Sequence, residues 1–120
     1  MAQYEIKIVT GTVDGAGTDA NVYLILEGTE GKSNEWHLEN NEDNFERGKT
    51  DSFTQEASVH LGTLKKAIIR HDNSKPRPGW FLQRVEITDK NTNKIYSNTP
   101  SRWLAIDEKP NSISIEVPLS

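Results

Sequence analysis

Cysteine is absent from the 120 residues, which excludes a disulfide framework, a thiolate metal site and a thiol nucleophile. Long apolar runs are missing as well. No stretch approaches the roughly 20 residues that a membrane-spanning helix needs, and the mean hydropathy is −0.72. Apolar residues make up only 33% of the chain, so they must be concentrated on a few element faces. An excess of positive charge is also lacking: 14 Lys and Arg stand against 18 Asp and Glu, for a net charge of −4. That balance argues against a nucleic-acid partner, and an anionic partner of any kind needs help from a cation. Catalytic signatures are scarce. His37, His60 and His71 show no paired metal-ligand spacing, no Gly-x-Ser-x-Gly elbow occurs, and Gly15 and Gly17 are followed by neither a third glycine nor the Lys-Ser/Thr of a phosphate loop. Carboxylates are plentiful, yet a chain of this length has little room for a glycosidase cleft. The chain is therefore expected to be noncatalytic and to form one domain over residues 1–120. Met1, Ala2, Gln3 and Tyr4 lack a basic stretch followed by an apolar core, so no secretory signal is expected there.

What the chain does have is period-two alternation, the mark of strands with one buried face. Tyr4, Ile6 and Ile8 alternate with Glu5 and Lys7, and Val22, Leu24 and Leu26 alternate with Asn21, Tyr23 and Ile25. Phe81, Val85 and Ile87 are assigned to one face of a later run, and Ile113, Ile115 and Val117 to one face of the last. Shorter candidates lie at 34–38, 51–57, 65–71 and 94–97, for about eight strands. Segments rich in Gly, Asn, Asp, Pro and Ser at 11–19, 28–33, 39–50, 72–79, 89–93 and 107–111 read as turns. Residues 99–105 are expected to hold a short turn around Trp103. Many short strands between turns predict an all-β fold, an antiparallel β-sandwich.

The first loop carries Gly11, Gly15 and Gly17 with the carboxylates of Asp14 and Asp19. Hard oxygen donors from carboxylates and folded backbone are what Ca²⁺ requires; the alternative is that these residues only make turns. A second loop, 39–46, places four carboxylates and three amides within eight residues. Neither loop has the ligand spacing of an EF-hand. A third loop contributes Asp72 and Asn73 and leads to Trp80 and Phe81, of which one should face the core and the other outward. An outward Trp80 is a candidate anchor for a lipid interface or a partner; the alternative is that both aromatics pack. Trp36 and Trp103, as large aromatics, are expected in the core.

Several of these segments occur in a familiar order: Tyr4 to Gly11; Ala16, Gly17, Thr18, Asp19, Ala20, Asn21, Val22 and Tyr23; Asn44, Phe45, Glu46, Arg47 and Gly48 with Asp51 and Phe53; Leu61 and Gly62; His71, Asp72 and Asn73; Trp80, Phe81 and Leu82; Trp103 and Leu104. The series resembles a PLAT domain, the module shared by polycystins, lipoxygenases and clostridial alpha-toxin. The resemblance implies two four-stranded sheets and a noncatalytic module that binds Ca²⁺ at its loop end and engages membrane lipid or a protein partner; the chain is expected to be a monomer. The implied ligands are Gly17 and Thr18 through carbonyls, Asp19 through its carboxylate, and Asn40, Glu42 and Asn44. A second implied set comprises Asp14, Asp43, Glu46 and Asp72. Trp80 and Trp103 resemble tryptophans given interfacial roles in the family. Where membrane-inserting lipoxygenases carry aromatics in the first loop, this chain has Val13 and Asp14. The family's Phe-x-Cys before the late Trp is replaced here by Ser97, Asn98, Thr99, Pro100 and Ser101. The alternative is a protein-interaction module whose metal, if any, is structural.

Overall fold

The computed structural model describes residues 2–39, 44–74, 79–109 and 111–120. Its strands are β1 (Ala2–Thr10), β2 (Val22–Gly28), β3 (Gly31–Lys32), β4 (Trp36–His37), β5 (Thr50–Ala57), β6 (Leu64–His71), β7 (Trp80–Asp89), β8 (Lys94–Asn98), β9 (Arg102–Leu104) and β10 (Ser114–Pro118). All pairings are antiparallel. One sheet runs β5-β1-β7-β8 and the other β10-β6-β2-β3; each has a short extra strand, β9 beside β7 and β4 beside β2. The expected four-strand paths are present, and each sheet counts five because the extra strand shares an edge. Residues 99–105, expected to form a turn, instead supply β9.

Alternation builds the core as the sequence pattern requires. Tyr4, Ile6 and Ile8 from one sheet meet Val22, Leu24, Leu26 and Ile69 from the other, all without exposed surface. The pattern fails in β7. Val9 lies opposite Arg84 and Thr10 opposite Leu82, so Gln83 is an extra residue and the strand bulges there. One inserted residue reverses which side chains face inward. Trp80 and Leu82 therefore join Val85 and Ile87 in the core, and Phe81 turns outward, contrary to the face assigned from sequence.

The antiparallel order brings four connections to one end. β1 ends beside the start of β5 and β7, and β2 starts beside the end of β6. The links β1–β2, β4–β5, β6–β7 and β9–β10 thus share a pole, as loops of a sandwich do.

Candidate functional site: the loop end

Backbone contacts fasten the first loop to its neighbours before any side chain acts. Thr18 N donates to the carbonyl of Phe45 at 3.0 Å, Phe81 N to that of Ala16 at 2.9 Å, and Gly48 N to that of Gly11 at 2.9 Å. Gly17 is needed for this approach: a Cβ there would lie 2.9 Å from Arg47 N and 3.0 Å from Phe45 O.

Buried and half-buried polar groups hold the rest. Asp51 is 2% exposed and accepts from Phe45 N at 2.8 Å and Asn44 Nδ2 at 3.3 Å, with Lys49 Nζ at 3.5 Å. Burying a carboxylate is costly unless it is paired and hydrogen-bonded, and here it is both. Asp72 accepts from Ser74 Oγ at 2.6 Å, Asn21 Nδ2 at 2.8 Å, and the backbone N–H groups of Ser74 and Asn21, each at 3.1 Å. The bonds from Ser74 and Asn21 hold its carboxyl well below the usual carboxylate range. With four donors on about four lone-pair sites, Asp72 clamps the third loop to the start of β2 and lines neither of the clefts below.

His71 is fully buried beside this clamp. Asn73 N donates to its Nδ1 at 3.0 Å, so Nε2 carries the proton and donates to the carbonyl of Leu104 at 2.6 Å. Burial lowers its pKa, against the opposing pull of the Leu104 carbonyl and the Asp72 carboxylate. Protonation would set a new Nδ1–H against the Asn73 N–H. Below about 6.5 the unfolded state binds the proton first, so stability is full above that pH and falls as the pH drops. Urea midpoints measured from pH 7.5 to 5 should fall on the acid side, and His71→Gln should flatten the slope over that window. Equal slopes in both proteins would contradict this role for His71.

Two clefts open between the first and second loops. One, of about 140 Å³, is lined by Thr18, Asp19, Asn21, His37, Glu39 and Asn44 among others; its neighbour, of about 280 Å³, by Gly15, Gly17, Thr18, Asp19, Glu46 and Arg47. Asp19 lines both, and its side chain is exposed. The structure thus brings together Gly17, Thr18, Asp19, Asn44 and Glu46. Asp14 is turned to Arg47, whose Nη1 lies 3.0 Å from its Oδ1 while Nε donates to the Thr12 carbonyl at 2.9 Å. Asn40, Glu42 and Asp43 lie outside the described residues. Among the described residues no three His, Asp or Glu side chains converge as a metal-ligating group. The donor class nonetheless suits Ca²⁺: the clefts offer carboxylate, amide and hydroxyl oxygens, with His37 and Arg47 as the nitrogen groups.

The expected outward Trp80 is corrected. Its side chain is 0% exposed, Nε1 donates to Thr10 Oγ1 at 2.9 Å, and the ring meets Phe45 edge-on at 5.2 Å. The bulge in β7 is the reason, because it places Trp80 on the inner face. Trp103, expected in the core, is half-buried outside it, edge-on to Phe81 at 5.5 Å. Sequence reasoning passed over Asp51 as a structural residue. Its position on the buried parity of β5, two residues before Phe53, was the available signal.

The PLAT/LH2 domain model matches residues 4–116. The chain belongs to the PLAT/LH2 domain family. Mouse lipoxygenase homology domain-containing protein 1 is 44% identical over 122 residues, covering 98% of this chain and 6% of that protein. Human polycystin-1 is 32% identical over 114 residues, covering 95% of this chain and 3% of its own length. The PLAT chain is thus a small fraction of the length of these relatives. Among solved structures, coral 8R-lipoxygenase superposes with a TM-score of 0.86 at 22% identity, over 98% of this chain and 17% of the enzyme. A calcium-dependent 11R-lipoxygenase superposes with a TM-score of 0.73 at 26% identity, over 99% and 17%. The first is described as activated by calcium via a C2-like domain, the second as calcium-regulated. These likenesses confirm the PLAT sandwich expected from the ordered motifs.

Proposed function

We propose that this PLAT chain is a single noncatalytic domain that binds Ca²⁺ between its first two loops and, so loaded, docks onto an anionic membrane surface. The observation that carries the reading is Asp19, an exposed carboxylate shared by two clefts whose other walls supply oxygen donors. Gly17 and Thr18 through carbonyls, Asp19, Asn40, Glu42 and Asn44 would hold the ion, with Glu46 and Asp43 as further carboxylates. Asp14 and Asp72 are left out of the set, since Arg47 and the Asn21–Ser74 clamp engage them. The calcium regulation ascribed to two lipoxygenase neighbours supports the metal. Ca²⁺ adds positive charge where the protein otherwise presents carboxylates.

A His–Asp pair lies at the opposite pole. His60 Nε2 lies 2.7 Å from Asp89 Oδ2 in a cleft of about 290 Å³, but Gly62 N donates to its Nδ1 at 3.2 Å. Both ring nitrogens are engaged, so this His–Asp pair offers no free base to a substrate.

With Trp80 in the core, the exposed large apolar side chains at the loop end, among the described residues, are Val13 and Ile106. Attraction to lipid would therefore rest mainly on charge. Cosedimentation with phosphatidylserine-containing vesicles should require Ca²⁺ and weaken with added salt, because exposed charges are screened over about 8 Å at 0.15 M. Equal binding in chelator would contradict the reading. The thin apolar contact also favours a second one, docking to an acidic protein partner; Ca²⁺ uptake without vesicle binding would select it.

A further inference from the structure

β8 and β9 both pair with β7, and the gap between them faces the β7 bulge. Val85 pairs with Asn98 and Leu82 with Arg102, which leaves Thr99, Pro100 and Ser101 opposite Gln83 and Arg84. Pro100 has no N–H to return to a ladder, and Ser101 adopts φ 48°, so the strand pairing is interrupted along the linker. Ser101 N still donates to the Gln83 carbonyl at 3.3 Å, which pins the far end. Thr99 is exposed at the front of this linker.

The bulge leaves Arg84 facing out and directs its guanidinium to this linker. Arg84 Nη1 donates to Thr99 Oγ1 at 3.2 Å, and Nη2 makes a longer 3.4 Å contact with Glu86 Oε1. Glu86 is itself 4.0 Å from Lys7 Nζ. The threonine hydroxyl is thus exposed, followed by proline, and already in contact with a planar cation suited to phosphate. We infer that Thr99 is a phosphorylation site for a proline-directed serine/threonine kinase, with Arg84 as the built-in receiver of the phosphate. Thr99 Oγ attacks the γ-phosphorus of ATP, the new Oγ–P bond replaces the bridging P–O bond to ADP, and the hydroxyl proton passes to the kinase's base. Arg84 then exchanges its long contact with Glu86 for the phosphate, and Lys7 remains beside Glu86. The modification adds about −1.5 to −2 charges to the outer face of the first sheet.

The folded protein incubated with ATP and a mitogen-activated-type kinase should gain one increment of about 80 Da, mapped to Thr99 by peptide mass spectrometry. Thr99→Ala should abolish the increment and Thr99→Ser should retain it. In the phosphorylated protein, ³¹P titration should place the second phosphate pKa roughly 0.5 unit lower than in phosphorylated Arg84→Gln. No increment on the folded chain, an increment only after denaturation, or one that persists in Thr99→Ala would overturn the site. Identical ³¹P titrations in the two phosphorylated proteins would overturn the role of Arg84.

Discussion

Trp80→Ala is expected to destabilise the PLAT sandwich by about 3–5 kcal/mol, the range for deleting a buried large aromatic. The indole packs between Thr10 of β1 and Phe45 of the second loop: it is wholly buried, touches Phe45 edge-on and donates its Nε1–H to Thr10 Oγ1 at 2.9 Å. Removing it opens a cavity and leaves the buried Thr10 hydroxyl without that donor. A single domain has only about 5–15 kcal/mol in total, so the melting temperature should drop by on the order of 10–20 °C. Trp80→Phe keeps most of the packing and loses the hydrogen bond, and should cost about 1–2 kcal/mol. Urea denaturation of the three proteins checks both values. A Trp80→Ala protein with an unchanged midpoint and impaired vesicle binding would restore the interfacial role that the motif resemblance assigns to this residue.

The position of Trp80 shows where sequence and structure part. Strict alternation placed Tyr4, Ile6, Ile8, Val22, Leu24 and Leu26 on inner faces, because hydrogen-bonded antiparallel strands without insertions keep period two. Nothing in the run from Trp80 to Ile87 marks Gln83 as an extra residue. The bulge arises from pairing with Thr10, a contact 72 residues away in the register of β1 and β7. The two-residue strand β3 falls within 28–33, read as a turn, for a related reason: an element that short carries no period, whereas β4 lies within the strand candidate 34–38. At the loop end, the donor types were legible in the sequence and their assignments were only partly so. Asp14, Asp19 and Asp72 look equivalent along the chain, and only tertiary neighbours separate them. Arg47 takes Asp14, Ser74 and Asn21 take Asp72, and Asp19 is left on the clefts.

That separation gives the second large effect. Ca²⁺ bound to the native state alone should raise stability by about 2.7 kcal/mol at roughly 100-fold excess over Kd. The gain would come from a cation that joins oxygen donors of the first two loops in the native state alone. Asp19→Ala should remove most of it, while Asp14→Ala should leave it nearly intact, since Asp14 lines neither cleft and its Oδ1 faces Arg47. Asp19 itself is exposed, so its substitution should change the apo stability little.

Calcium titration by isothermal calorimetry, on the wild-type chain and on Asp19→Ala, tests the central claim most directly. Saturable binding in the wild type, lost or weakened at least tenfold in Asp19→Ala and kept in Asp14→Ala, is the predicted result. A wild-type chain that gives no binding heat at millimolar Ca²⁺, with a melting temperature indifferent to Ca²⁺ and chelator, would contradict it.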